Sequence, residues 1–85
     1  MERPALEQFA HEAGRKIRAW REQHGLSAAE LGERLDPQGK GPVPPHTIYG
    51  WELRGKIARR RHQVRLADMG VCDAADWLQA AELAA

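Results

Sequence analysis

Pro45, His46, Thr47, Tyr49 and Gly50 stand just ahead of a run that carries Arg54, Lys56, Arg59, Arg60, Arg61 and Arg65 and no acid. Polar side chains can tell base edges apart, and cations beside them can neutralise phosphates. The chemistry this pairing suits is the binding of a polyanion, double-stranded DNA above all. His46 can donate to a guanine edge or a phosphate. Thr47 can offer its methyl to thymine or its hydroxyl to a phosphate, and Tyr49 can pack on a sugar or bond a phosphate. None of these is a bidentate Arg or Asn, so direct readout by them alone is weak. Gln38 and Lys40, on a loop just upstream, are placed to add contacts or to grip the flanking backbone.

The formal net charge of +1 conceals how the charges are distributed. Residues 1–53 sum to −1, residues 54–65 to +6 and residues 66–85 to −4. The cations therefore form one block that can lie on one face. An isolated basic run is commonly just a solvated surface, but this one directly follows a candidate groove-entering helix.

Other chemistries find little support. The segment GKGP lacks the spacing and the Ser/Thr of a phosphate-cradling loop. No nucleophile has a plausible base and orienter, and no two carboxylates stand apart as an acid–base pair. His11, His24, His46 and His62 show no metal-ligand spacing. An all-helical domain this small offers little concave volume. The expectation is a chain without enzymatic activity, metal, cofactor or small-molecule substrate.

The elements that would position these groups are helices. Leu6, Phe9, Ala13, Ile17 and Trp20 recur at helical spacing, which predicts a first helix over 4–24, or one that begins near Glu12 after a looser arm. Gly14 weakens its middle by roughly 1 kcal/mol relative to Ala, and Gly25 is a natural stop. Ser27 with Glu30 fits the reciprocal cap of a second helix, whose apolar stripe is Ala28, Leu31 and Leu35. The segment DPQGKGP breaks it. Pro44-Pro45 opens a third helix, about 44–54, with Val43, Ile48 and Trp51 inward and His46, Thr47, Tyr49 and Gly50 outward. A fourth helix covers Arg59 to Met69 and offers Val64, Leu66, Ala67 and Met69 to the core. A fifth covers about 73–84, with Asp73 and Asp76 at its positive end. Trp77 and Leu78 either dock this last helix or pair two copies in a homodimer. No segment has the alternation of a strand.

Eighty-five residues make one domain, 1–85, with its core within 12–71 and marginal stability. Cys72 is the single cysteine and has no disulfide partner in the chain, no apolar leader precedes the first helix, and no apolar run reaches membrane-span length. These features point to a cytoplasmic setting.

The ordered set Ile17-x-x-Trp20-Arg21, Gly25-Leu26-Ser27-x-x-Glu30-Leu31 and Val43-x-x-x-Thr47-Ile48-x-x-Trp51-Glu52-x-x-Gly55 resembles the Cro and phage-repressor (lambda-repressor-like) type of helix-turn-helix. The likeness covers about residues 14–71. It implies an all-α bundle of four or five helices, with a longer turn between helices 2 and 3 than the family's tight one. It implies a transcriptional regulator, most simply a repressor, associated with a bacterial or phage nucleoid. By the resemblance, Ile17, Leu26, Leu31, Ile48 and Trp51 are core, and Arg21 pairs with Glu52. Pro45, His46, Thr47, Tyr49 and Gly50 form the base-facing surface, and Ser27 and Ala28 touch backbone phosphate. The family's usual Gln after the helix-2 cap is Ala28 here, its usual polar residue near the end of the reading face is Gly50, and one more residue separates Trp51-Glu52 from Gly55. Two other readings of the same residues stay open: a helical protein-interaction module using the loop and helix 5, and an RNA-binding or nonspecific DNA-coating protein using the cations alone.

Overall fold

The computed structural model describes residues 11–36 and 41–77. They form α1 (Glu12–Gln23), α2 (Ala28–Arg34), α3 (Pro45–Leu53) and α4 (Arg60–Asp68), and residues 74–77 open a further helical turn. No strand occurs among the described residues, so the architecture is all-α. Leu6 and Phe9 of the longer first helix, the loop residues Gln38 and Lys40, and Leu78 with the rest of the fifth helix lie outside the described residues. No helix among the described residues is long and apolar enough to cross a membrane.

α1 takes the later of the two starts. His11 caps it: Nδ1 accepts the Gly14 amide at 2.8 Å, and Nε2 donates to the Lys56 carbonyl at 2.9 Å. These partners require a neutral imidazole with its proton on Nε2. α2 opens on a reciprocal cap, in which Ser27 Oγ accepts the Glu30 amide and the Glu30 carboxylate accepts the Ser27 amide. Those hydrogen bonds hold the Glu30 carboxyl below its ordinary range. α3 starts at Pro45 after Pro44, where a missing N–H costs the helix nothing. Across the loop between α2 and α3, the Asp36 carboxylate accepts the Gly41 amide at 3.1 Å and draws the two ends together.

The core runs through every helix. Ala13 and Ile17 of α1 meet Ala28 and Leu31 of α2, Leu35 at its C-cap, Val43 before α3, and Ile48 and Trp51 of α3; Ala58, Leu66, Val71, Cys72 and Trp77 complete it. Trp20 and Met69 pack against its edge, and Leu26 is half-buried. α4 corrects the expectation for two residues. Leu66 is buried and Met69 lies one turn on, but Val64 is 51% exposed and Ala67 is also exposed. Residues two apart on a helix point about 200° away from each other, so Val64 and Leu66 cannot share one core face.

Two glycines mark where backbones touch. A Cβ on Gly14 would run into the Trp51 carbonyl oxygen, and one on Gly32 into the Val43 carbonyl oxygen. Gly14 is therefore no weak point in α1. Its bare backbone is what lets α3 lie directly on α1, and Gly32 does the same for the entry to α3, where the Val43 amide donates to the Gly32 carbonyl at 3.1 Å.

The turn at 74–77 docks on the same body. Trp77 is 2% exposed, with its ring edge-on to His11 at 5.2 Å and to Trp51 at 6.3 Å between centroids. Lys16 Nζ donates to both Asp76 oxygens at 3.1 and 3.2 Å, and Asp76 also accepts the Asp73 amide at 2.8 Å. Trp77 is thus packed into the chain's own core.

Candidate nucleic-acid interface

Arg21 and Glu52 set the attitude of α3. Glu52 is 1% exposed, and an ionised carboxylate at that depth is costly unless paired and hydrogen-bonded. Arg21 meets it as a fork, with Nε donating to Oε2 at 2.8 Å and Nη2 to Oε1 at 3.0 Å. Its third nitrogen donates to the Leu26 carbonyl at 3.1 Å, so one guanidinium joins α1, the turn into α2, and α3. Its carbon also lies 5.9 Å from the centre of the Tyr49 ring, within reach of a cation–π attraction. Tyr49 remains 45% exposed.

Beside this face lies a groove of about 480 Å³. That corrects the expectation of little concave volume. It is an open groove that forms because the loop from Arg54 to Arg59 stands against α3 as a second wall. α3 supplies His46, Thr47, Tyr49, Gly50 and Trp51, the loop supplies Arg54, Lys56, Ile57 and Arg59, and α4 supplies His62. No carboxylate lines it. The loop is held at several points: the Lys56 amide donates to the Gly50 carbonyl at 3.1 Å, His11 Nε2 donates to the Lys56 carbonyl, and Gln63 Nε2 donates to the Ala58 carbonyl at 2.7 Å.

The groove unites part of the expected site. His46 and Tyr49 are exposed and Thr47 is half-buried, and all three line it together with Arg54, Lys56 and Arg59. Gly50 is a correction. It is buried, because the aliphatic stem of Lys56 lies over it, so it does not belong to an outward reading face. Pro45 is exposed at the first position of α3, outside the groove. Arg60 and Arg61 are exposed on the first turn of α4, also outside it. Ser27 lies at the start of α2, with its hydroxyl oxygen engaged by the Glu30 amide. Ala28 is 1% exposed, so its side chain belongs to the core.

Sequence reasoning missed His62 as a groove residue. Its ring packs tilted against Trp51, 5.5 Å between centroids. Burial, and then the charges of Arg61 and Arg59, push its pKa below the ordinary histidine value, so it stands neutral among cations. The spacing Arg59-x-x-His62, one helical turn, is the signal that could have placed it beside Arg59.

α4 also begins against electrostatic preference. It has no side-chain cap and no acid in its first turn, and Arg59, Arg60 and Arg61 crowd its positive end. Cys72, by contrast, is buried, and burial with the nearby Asp76 charge pushes its thiol up to about 11. Among the described residues, no three His, Cys, Asp or Glu side chains gather where they could hold a metal ion.

No protein-family model, curated protein or solved structure matches this chain.

Proposed function

We propose that the chain is a sequence-specific DNA-binding regulator of the helix-turn-helix class, acting as a repressor in the manner of the Cro and phage-repressor family it resembles. α2 and α3, with their lengthened connection, are the motif. α3 enters the major groove, His46, Thr47 and Tyr49 meet base edges and sugars, and Arg54, Lys56 and Arg59 hold the phosphates alongside. The observation that carries this reading is the continuity of the exposed His46–Tyr49 face with a groove wall that has three cations and no acid.

The start of α4 supports it. Three arginines at a positive helix end are electrostatically misplaced in the free protein, and a phosphate drawn there relieves the conflict. Rules broken locally without compensation within the fold tend to mark functional surfaces. The Arg21–Glu52 fork supports it as well, because it fixes α3 against α1 before any partner arrives.

Selection of bound duplexes from a random pool tests the reading. A recurrent motif, with affinity falling steeply as salt rises, is the expected result. Salt-steep binding with no motif would leave a nonspecific coat, and no binding at any salt would leave the protein-interaction reading.

A further inference from the structure

We propose that the groove between α3 and the start of α4 is a pocket for a flat ring carrying a phosphate, the chemistry of a nucleoside monophosphate, and that this ligand and duplex DNA exclude one another. The exclusion rests on the DNA-binding reading; the pocket does not.

Shape is the first argument. A helix that reads DNA enters a groove as a convex body, and nothing in that task calls for a hollow beside it. A hollow of about 480 Å³ falls in the range of sites built for small ligands. Charge is the second. Arg54, Lys56 and Arg59 face it without a carboxylate in the wall, so the occupant is an anion. Arginine forks suit phosphate oxygens in particular. The third is the apolar part of the wall. Ile57 is 41% exposed and Tyr49 45% exposed at its rim, an unusual position for large apolar surface next to cations. Bare phosphate would leave both uncovered, and an uncharged ring would leave the cations unneutralised. A ring bearing a phosphate satisfies both halves.

The wall is also assembled in advance. Lys56 is fixed at both its amide and its carbonyl, and the Arg21 guanidinium lies over the Tyr49 ring. The backbone of this wall is therefore set before a ligand enters, and what binding still has to order is the cationic side chains.

Calorimetry on the whole chain tests this with adenosine and guanosine 5′-monophosphate, the two parent nucleosides and inorganic phosphate as probes. At least one monophosphate should bind about tenfold or more tightly than its nucleoside and than phosphate, a gap of one decade in dissociation constant. R59A and I57S change exposed residues, so circular dichroism should match the parent. Each should weaken the monophosphate several-fold, while R15A, which removes an equal charge from α1 away from the groove, should leave it unchanged. Equal binding of monophosphate and phosphate, equal effects of R59A and R15A, or no heat up to millimolar ligand would each overturn the pocket. The bound monophosphate should also displace the selected duplex, and simultaneous binding of both would overturn the exclusion. If no duplex binds at all, the DNA reading falls and calorimetry still judges the pocket.

Discussion

Arg21 and Glu52 face each other across α1 and α3 as a parallel pair of hydrogen bonds, 2.8 and 3.0 Å long, with the carboxylate almost wholly shielded from water. Removing the guanidinium leaves a buried charge without a partner, a loss of about 3–5 kcal/mol. Arg21→Ala should therefore lower the urea midpoint sharply. The double variant Arg21→Met with Glu52→Leu, which removes both charges, should recover much of the loss. A double variant no more stable than the single one would show that the pair contributes more than avoidance of a stranded carboxylate.

The three cations of the groove wall should carry more of the phosphate binding than the two outside it. Replacing Arg54, Lys56 and Arg59 together with Ala should flatten the log–log salt dependence of DNA binding by about 0.9 per residue removed. The Arg60→Ala, Arg61→Ala pair should flatten it less per residue. Fluorescence anisotropy over a salt series measures both slopes.

Gly14→Ala and Gly32→Ala should destabilise the fold, against the sign expected of such changes inside a helix. Ala ordinarily gains about 1 kcal/mol over Gly there. Here the new methyl meets a carbonyl oxygen of the neighbouring backbone, which has no rotamer to escape into. Thermal melts of the two variants should both fall below that of the parent.

Much of this architecture was legible before any coordinates. The Ser27–Glu30 cap, the Pro44-Pro45 start and the inward set Ile17, Leu31, Ile48 and Trp51 follow from spacing, because capping and helical period are local properties. What was not legible depends on neighbours distant in sequence. Gly14 reads as a flaw until α3 is laid across it. Gly50 reads as outward until the Lys56 stem covers it. Val64 and Leu66 look equivalent by hydrophobicity, and only the direction of the core chooses between them. The groove itself was invisible, because it exists only once the Arg54–Arg59 loop has folded back on α3.

The lowered pKa of His62 has consequences of opposite sign for folding and for binding. Its folded value lies below its unfolded one, so as pH falls through the ordinary histidine range the unfolded chain takes up a proton that the folded one resists. Stability should fall there, and His62→Gln should lessen the fall. An anion in the groove reverses the preference, since it favours the imidazolium. Relative to His62→Gln, the parent should gain affinity for phosphate-bearing ligands as pH drops from about 8 to 5, set against the loss that protonation of the phosphate itself causes in both proteins. The difference in this slope between the parent and His62→Gln isolates the contribution of His62.

The Cys72 thiol should be inert in the folded protein. Held at about 11 by burial, it has almost no thiolate at neutral pH. Alkylation by iodoacetamide, followed by mass spectrometry, should run at least about a hundredfold slower in buffer than in denaturant.

His11 gives the groove a distant handle. Its imidazole reaches across 45 residues of chain to the carbonyl of Lys56, while its other nitrogen fastens the opening turn of α1. A change that turns that ring away from the Lys56 carbonyl slackens a residue of the ligand-facing wall, although His11 is not itself among the groove's lining residues. The binding surface is thus tied to a residue far away in sequence, through one side chain.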